Sequence, residues 1–243
     1  MKITFLGTNG WYSTGAGDAV CTLVETEKCY FILDAGEGIR RADEFVTKDL
    51  PVYLFLTHLH FDHIFGLHIL PRIPFYRQLK IVVPETQLED LQRVLRSPFT
   101  ASFSGEIIPV GTGMIEGLPF SCECGKLEHK DGAFGYRIGV DGKELAYCLD
   151  TAYCKGSVAL AGGSDVLIHE CTNRPGEQDS GWGHSNPEEA AQVAKEAGVK
   201  KLILTHFMPD SYPDQLSRED ARDAARKIFT DTIAAMDGET VEI

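Results

Sequence analysis

His58, His60, Asp62 and His63 fall within six positions of one another in the run Thr57-His58-Leu59-His60-Phe61-Asp62-His63. Imidazole and carboxylate are the donors that hold divalent metals such as zinc, manganese and iron. In an extended segment His58 and His60 project from the same side, so both reach one ion. A turn into helix near Asp62 and His63 re-aims the second pair toward a neighbouring point. A polar loop with histidines there by chance is the alternative, and donors at alternating positions argue against it.

Elements that must position these groups are short apolar runs, continuous and rich in β-formers, which read as strands. Residues 52–56 deliver the first cluster. Residues 120–124 form a strand with Cys122 and Cys124 on one face, and Lys126-Leu127-Glu128-His129 follows. Residues 143–149 end at Asp150, 166–168 deliver His169-Glu170-Cys171, and 202–204 deliver Thr205-His206. Neighbouring residues on a strand point opposite ways, so His169 faces away from the partner of Glu170.

Other segments read as scaffolding. Residues 3–6 form a strand ending in Gly7-Thr8-Asn9-Gly10, either a backbone cradle for phosphate or a tight connection. Residues 21–26 and 29–33 make a hairpin, and Asp34-Ala35-Gly36-Glu37-Gly38 turns the chain into a helix. Residues 64–70 have helical spacing, broken at Pro71, with His68 on the helix surface; 81–83 are a strand and 88–95 a helix. A loop over 97–112 holds one strand, 107–110. Asn186-Pro187-Glu188-Glu189 carries the signals of a helix start, and that helix runs to about Ala197 before Gly198. A last helix over 218–229 precedes a strand at 240–243.

At 243 residues and 43% hydrophobic composition, one soluble domain spanning 1–243 is expected. No apolar run approaches membrane-spanning length. The first seven residues read as a strand and turn, not as a secretion signal, and seven cysteines show no disulfide framework. A cytoplasmic setting is the default expectation. A net charge of −13 weakens attraction to polyanions, and Arg40-Arg41 and Lys200-Lys201 are isolated pairs, so nucleic acid is disfavoured as a partner.

His-x-His-x-Asp-His after an apolar strand resembles the signature of the metallo-β-lactamase superfamily, and the resemblance runs over residues 1–243. It implies an α+β or α/β fold, a four-layer αββα sandwich with the site at one edge. Carried over by motif, His58, His60 and His129 hold a first metal, Asp62, His63 and His206 a second, and Asp150 bridges them. The implied cofactor is two divalent ions, zinc first, with manganese or iron as alternatives, sharing a hydroxide that attacks substrate. The turn at Asp34 and Gly36 would support the site from beneath.

Two further motifs narrow the resemblance. Ile168-His169-Glu170-Cys171 and Trp182-Gly183-His184-Ser185 resemble ribonuclease Z and its relatives, in which the Glu orients a His that assists the leaving group. Asp62, Glu170 and His184 are therefore the candidate catalytic residues. Long bacterial members carry a tRNA-clamping arm between the third metal motif and the bridging aspartate, whereas residues 129–150 leave room only for a hairpin. The expected activity is that of a phosphodiesterase on small or cyclic-nucleotide diesters. The alternatives are a tRNA 3′-processing endonuclease, a glyoxalase-like thioester or lactone hydrolase, and a non-catalytic scaffold. Trp182 either stacks on a base or packs inside, Tyr212 is expected to border the pocket, and relatives of this type suggest a homodimer.

Overall fold

The computed structural model describes residues 1–243. A first run of strands comprises β1 (Lys2–Gly7), β2 (Cys21–Glu25), β3 (Tyr30–Leu33), β4 (Val52–Phe55), β5 (Leu79–Pro84) and β6 (Glu106–Val110). A second run holds β7 (Gly113–Met114), β8 (Ser121–Lys126), β9 (Phe134–Val140), β10 (Lys143–Cys148), β11 (Val166–Cys171), β12 (Lys201–Phe207) and β13 (Thr232–Ala234). The final strand is β14 (Thr240–Glu242). The strands form two sheets, ordered β14-β1-β2-β3-β4-β5-β6 and β13-β12-β11-β10-β9-β8-β7. The chain thus passes from one sheet to the other between β6 and β7, and returns with β14 beside β1.

Both sheets are half antiparallel and half parallel. β3 to β6 run parallel, as do β10 to β13. Parallel strands are covered on both faces, which explains why β4 and β11 are buried at every position. The inner faces share a core that includes Phe5, Phe31, Phe55, Tyr136, Tyr147 and Ile168. Each such side chain contributes about 1.5–3 kcal/mol on burial. The outer face of the first sheet packs on short helices through Ile32, Leu54, Ile39, Leu67 and Leu91. The outer face of the second packs through Leu167, Leu202, Leu160, Ala191, Val193 and Ala221 on α3 (Lys155–Ala161), α4 (Pro187–Ala197) and α5 (Gln215–Arg226). This is the expected αββα order of layers.

The covering on the first sheet is mostly 3₁₀: Glu37–Glu44 and Phe65–Arg72 are 3₁₀ helices, joined by the short α1 (Phe61–Ile64) and α2 (Leu88–Val94). Pro71 lies inside the second 3₁₀ helix and does not end it, since a proline in a last turn costs few backbone bonds. His68 sits exposed on that helix with Nδ1 at the Phe65 carbonyl. Elements that escape the sequence pattern include α3, β7, β13 and the short 3₁₀ helices Tyr76–Gln78 and Glu85–Gln87. α5 also begins three residues earlier than expected, capped by Asp214, whose side chain accepts from Ser217 N.

Cys122 and Cys124 are buried in the inter-sheet core, as a plain strand would place them. Tyr212 does not border a pocket: it is 1% exposed, and its hydroxyl donates to the Asn173 carbonyl. An aromatic with a partnered hydroxyl belongs in a core as readily as at a site. Between His129 and Asp150 lies only the β9–β10 hairpin, turned at Asp141-Gly142 with both residues at positive φ. No arm extends from it.

Candidate metal centre

Histidine and aspartate side chains converge where strands from both sheets end on the same side. β4 ends at Phe55, and Thr57 leads to His58 and His60; α1 then carries Asp62 and His63. From the second sheet come His129 after β8, Asp150 after β10 and His206 within β12. Ligand sites at strand carboxyl ends are the general habit of such sheets. Donor atoms of His58, His60, His129 and Asp150 lie within 4.8 Å of one another, as do those of Asp62, His63 and His206. All seven residues expected as ligands are therefore brought together, in the two expected groups.

Asp150 stands between the groups. Its Oδ2 is 3.7 Å from His58 Nε2, while its Oδ1 is 3.1 Å from Nε2 of both His63 and His206. Asp62 Oδ2 reaches the second group alone, 3.6 Å from His63 and 3.3 Å from His206. A carboxylate that splits its oxygens in this way is shaped to bridge.

The second ring of contacts fixes which nitrogen each imidazole offers. Asp34 Oδ2 lies 2.9 Å from His63 Nδ1 and also accepts from the Tyr147 hydroxyl. Thr57 donates to Asp34 and lies 3.1 Å from His58 Nδ1. The Gly183 carbonyl faces His129 Nδ1, and Thr172 Oγ1 faces His206 Nδ1. With Nδ1 occupied in all four, Nε2 keeps its lone pair toward the centre. His60 is the opposite case: its Nε2 lies 3.1 Å from Asp131, leaving Nδ1 free.

These residues fit a bound cation. His58 Nε2, His129 Nε2 and Asp150 Oδ1 are buried with no hydrogen-bond partner. Such groups cost about 1–3 kcal/mol each unless something takes the lone pair. The Nε2 atoms of His63 and His206 approach to 3.2 Å, which two bare lone pairs do not tolerate. Burial disfavours a charge on His63, yet Asp150, Asp34 and Asp62 raise its pKa well above the usual imidazole value. His206 is raised by Asp150 and Asp62 against the same burial. The surrounding carboxylates thus favour positive charge at this position. His58 and His129 are held down by burial and are neutral donors. The donor set is nitrogen and oxygen only, which suits zinc, manganese or iron.

Backbone geometry is bent to serve the centre. Asp34, Asp150 and His206 all have positive φ, at 58°, 51° and 56°. A non-glycine residue there costs on the order of 1–3 kcal/mol, and such strain gathers at functional sites. The Gly7–Gly10 connection is not a phosphate cradle, because its amides are engaged: Asn9 N binds the Asp18 carbonyl and Gly10 N the Phe207 carbonyl. It is instead a brace. Trp11 N donates to Asp62 at 2.7 Å, and a side chain at Gly10 would meet the His206 ring at 2.6 Å. Buried Arg218 holds the brace from behind by donating to Thr8 Oγ1 and Asn9 Oδ1.

Beside the two groups stands a carboxylate–imidazole pair. His184 Nδ1 is 2.8 Å from Glu170 Oε1, and His184 forms a third cluster with Asp150 and His206. Glu170 is fully buried, and also accepts from Thr151 N and Thr172 N. Burial lowers the His184 pKa, but the Glu170 carboxylate outweighs it and brings the value up to about 9. His169 faces away, with Nδ1 at the Glu170 carbonyl. Asp131, Tyr147, Thr172 and Arg218 were not legible from the sequence.

Fold and site together define a metal-dependent hydrolase. Residues 30–207 match the family described as Beta-lactamase superfamily domain, and the chain belongs to the metallo-β-lactamase superfamily. A protein named Ribonuclease Z from a Nostoc species is 30% identical over 308 positions, covering 100% of this chain and 95% of that one. With 243 residues set against 308 positions, dozens of the relative's positions have no counterpart here. Among solved structures, the metallo-β-lactamase fold protein YhfI from Bacillus subtilis superposes with a TM-score of 0.84 at 23% identity, covering 100% of this chain and 99% of that one. Human tRNase Z, short form, gives 0.74 at 23% identity with the same two coverages.

Proposed function

We propose that the protein hydrolyses phosphodiesters, with RNA as the substrate class. The carrying observation is the Glu170–His184 pair beside Asp150 and His206. His58, His60 and His129 would hold one ion, Asp62, His63 and His206 another, and Asp150 would join them. Bound there, divalent ions, zinc first among them, supply charge neutralisation at the phosphate and acidify water for attack.

The protein's own part is proton delivery and orientation. Glu170 engages His184 Nδ1–H, so the proton on Nε2 is free for the leaving oxygen as the ester bond breaks. Thr151 N and Thr172 N hold the Glu170 carboxylate in place, so imidazole and bridging aspartate keep a fixed relation. A thioester hydrolase needs no such acid for a thiolate leaving group, which sets that reading aside.

On substrate, the name shared by the full-length relatives favours RNA over the small cyclic diesters that the sequence put first. Small nucleotide diesters remain a second reading on one observation: the tight Asp141-Gly142 turn leaves no arm to clamp a folded tRNA. A homodimer and a cytoplasmic setting belong to the same proposal.

The test is cleavage of unprocessed tRNA, short oligoribonucleotides and 2′,3′- and 3′,5′-cyclic nucleotides by zinc-loaded protein, wild type against His184→Ala. His184→Ala is expected to lose about 10²–10⁴ in kcat on the RNA substrates with metal content intact. Unchanged turnover in that variant removes His184 from the acid role, and turnover of cyclic nucleotides alone favours the second reading.

A further inference from the structure

Trp182 lies two positions before His184 and is 46% exposed. The loop that carries it is held stiffly. Asp179 accepts from the backbone amides of Gly181, Gly183 and His184, gathering the loop around one carboxylate. The glycines on either side of Trp182 have φ of 93° and 89°. A side chain at Gly183 would meet the Glu128 carbonyl at 2.4 Å, so the loop closes directly on the segment that carries His129. Lys130 N donates to the Trp182 carbonyl, and Gly183 O faces His129 Nδ1. The backbone that carries Trp182 is therefore tied to the segment of His129 and runs two residues on into His184.

Exposed Lys130 places its ammonium 4.2 Å from the indole centroid. This pair offers a π surface and a cation in a chain whose net charge is −13. Two features of one ligand match it: an unpaired base stacks on the ring, and its phosphate meets the cation.

We infer that Trp182 and Lys130 form a nucleobase subsite, on which the base next to the scissile phosphate stacks. This rests on the phosphodiesterase reading for its setting, but it makes a claim of its own. Recognition by stacking accepts any base and demands that it be unpaired, so the preferred region is a single-stranded end or loop.

The experiment uses zinc-loaded protein with Trp11→Phe, which leaves Trp182 as the only tryptophan of the two in the chain. Adenosine 5′-monophosphate and ribose 5-phosphate are titrated while tryptophan emission is followed, with calorimetry in parallel. Stacking predicts saturable quenching by the nucleotide, and about 5–150-fold tighter binding of it than of the sugar phosphate. Trp182→Ala should bring that ratio to near one, and Trp182→Phe should restore most of it. Equal binding of the two probes to the parent protein overturns the subsite, as does a ratio that survives Trp182→Ala or no binding of either probe. Turnover of bis(p-nitrophenyl) phosphate by the zinc-loaded wild-type protein is scored separately. Its absence with the ratio intact removes the reaction and leaves the base subsite standing.

Discussion

Glu170 shows how much of this site is decided by single hydrogen bonds. A carboxylate fully removed from water should favour its neutral form, yet His184 and its charge keep Glu170 below the usual carboxylate value. Its partner moves the other way, to about 9. Because the folded-state value of His184 is raised, the pair's contribution is fully present below about 6.5, the unfolded imidazole value. It is then lost as pH rises through about 9. Urea unfolding of chelator-treated protein should therefore show wild type exceeding His184→Gln in stability at pH 6, with the gap closing toward pH 10. A gap that stays constant across that range would count against the ion pair.

Asp34 governs the centre without facing it. It receives His63 Nδ1, the Thr57 amide and hydroxyl and the Tyr147 hydroxyl, all buried. Asp34→Asn removes the charge and replaces one acceptor by a donor. Metal affinity should fall about 10–100-fold, measured by competition with a chromophoric chelator. The ligands were legible in the sequence because four sit in one motif and the rest end apolar runs. Tyr147 and Asp131 were not, since nothing local joins Tyr147 to Asp34 113 positions away, or Asp131 to His60 71 positions away.

At the scale of elements, α4 is the helix the sequence described most fully. Asn186 accepts from Glu189 N, Glu189 answers at Asn186 N, Pro187 opens the first turn and Gly198 closes the last at φ 66°. Each signal is local, so each could be read. Asn186 also donates to the Glu177 carbonyl, tying α4 to the loop that leads to His184. Asn186→Ala should cost about 1–2 kcal/mol, seen as a lower urea midpoint with an unchanged slope. α3 was hidden for the opposite reason. Its cap is the Cys154 thiol accepting from Ser157 N, and Gly156 sits in its first turn. Neither is a signal that propensity recognises. The strands β7 and β13 span only two and three residues, too few for a period to show.

At the scale of the molecule, the two groups of donors join the two sheets. His58, His60, Asp62 and His63 belong to the first sheet and its edge, and His129, Asp150 and His206 to the second. A cation bound by both can stabilise the whole sandwich. At free metal 1,000 times its dissociation constant the gain is about 4 kcal/mol. Removal of metal should lower the thermal midpoint and speed proteolysis in both halves together, and re-addition of zinc should restore both. The four-layer order itself was legible from the resemblance and the alternation of runs. The 3₁₀ character of one outer layer was not, because α and 3₁₀ turns bury nearly the same positions.

The passage between sheets after β6 also makes this chain divisible. Opened within the short link from Val110 to Gly113, it would yield one piece with four of the donors and another with three. Neither piece could complete the first group, and the second group needs His206 from the far piece. The returning β14 would clasp the two through β1. Co-produced halves would thus report their own reunion by taking up metal, a split sensor already written into the topology.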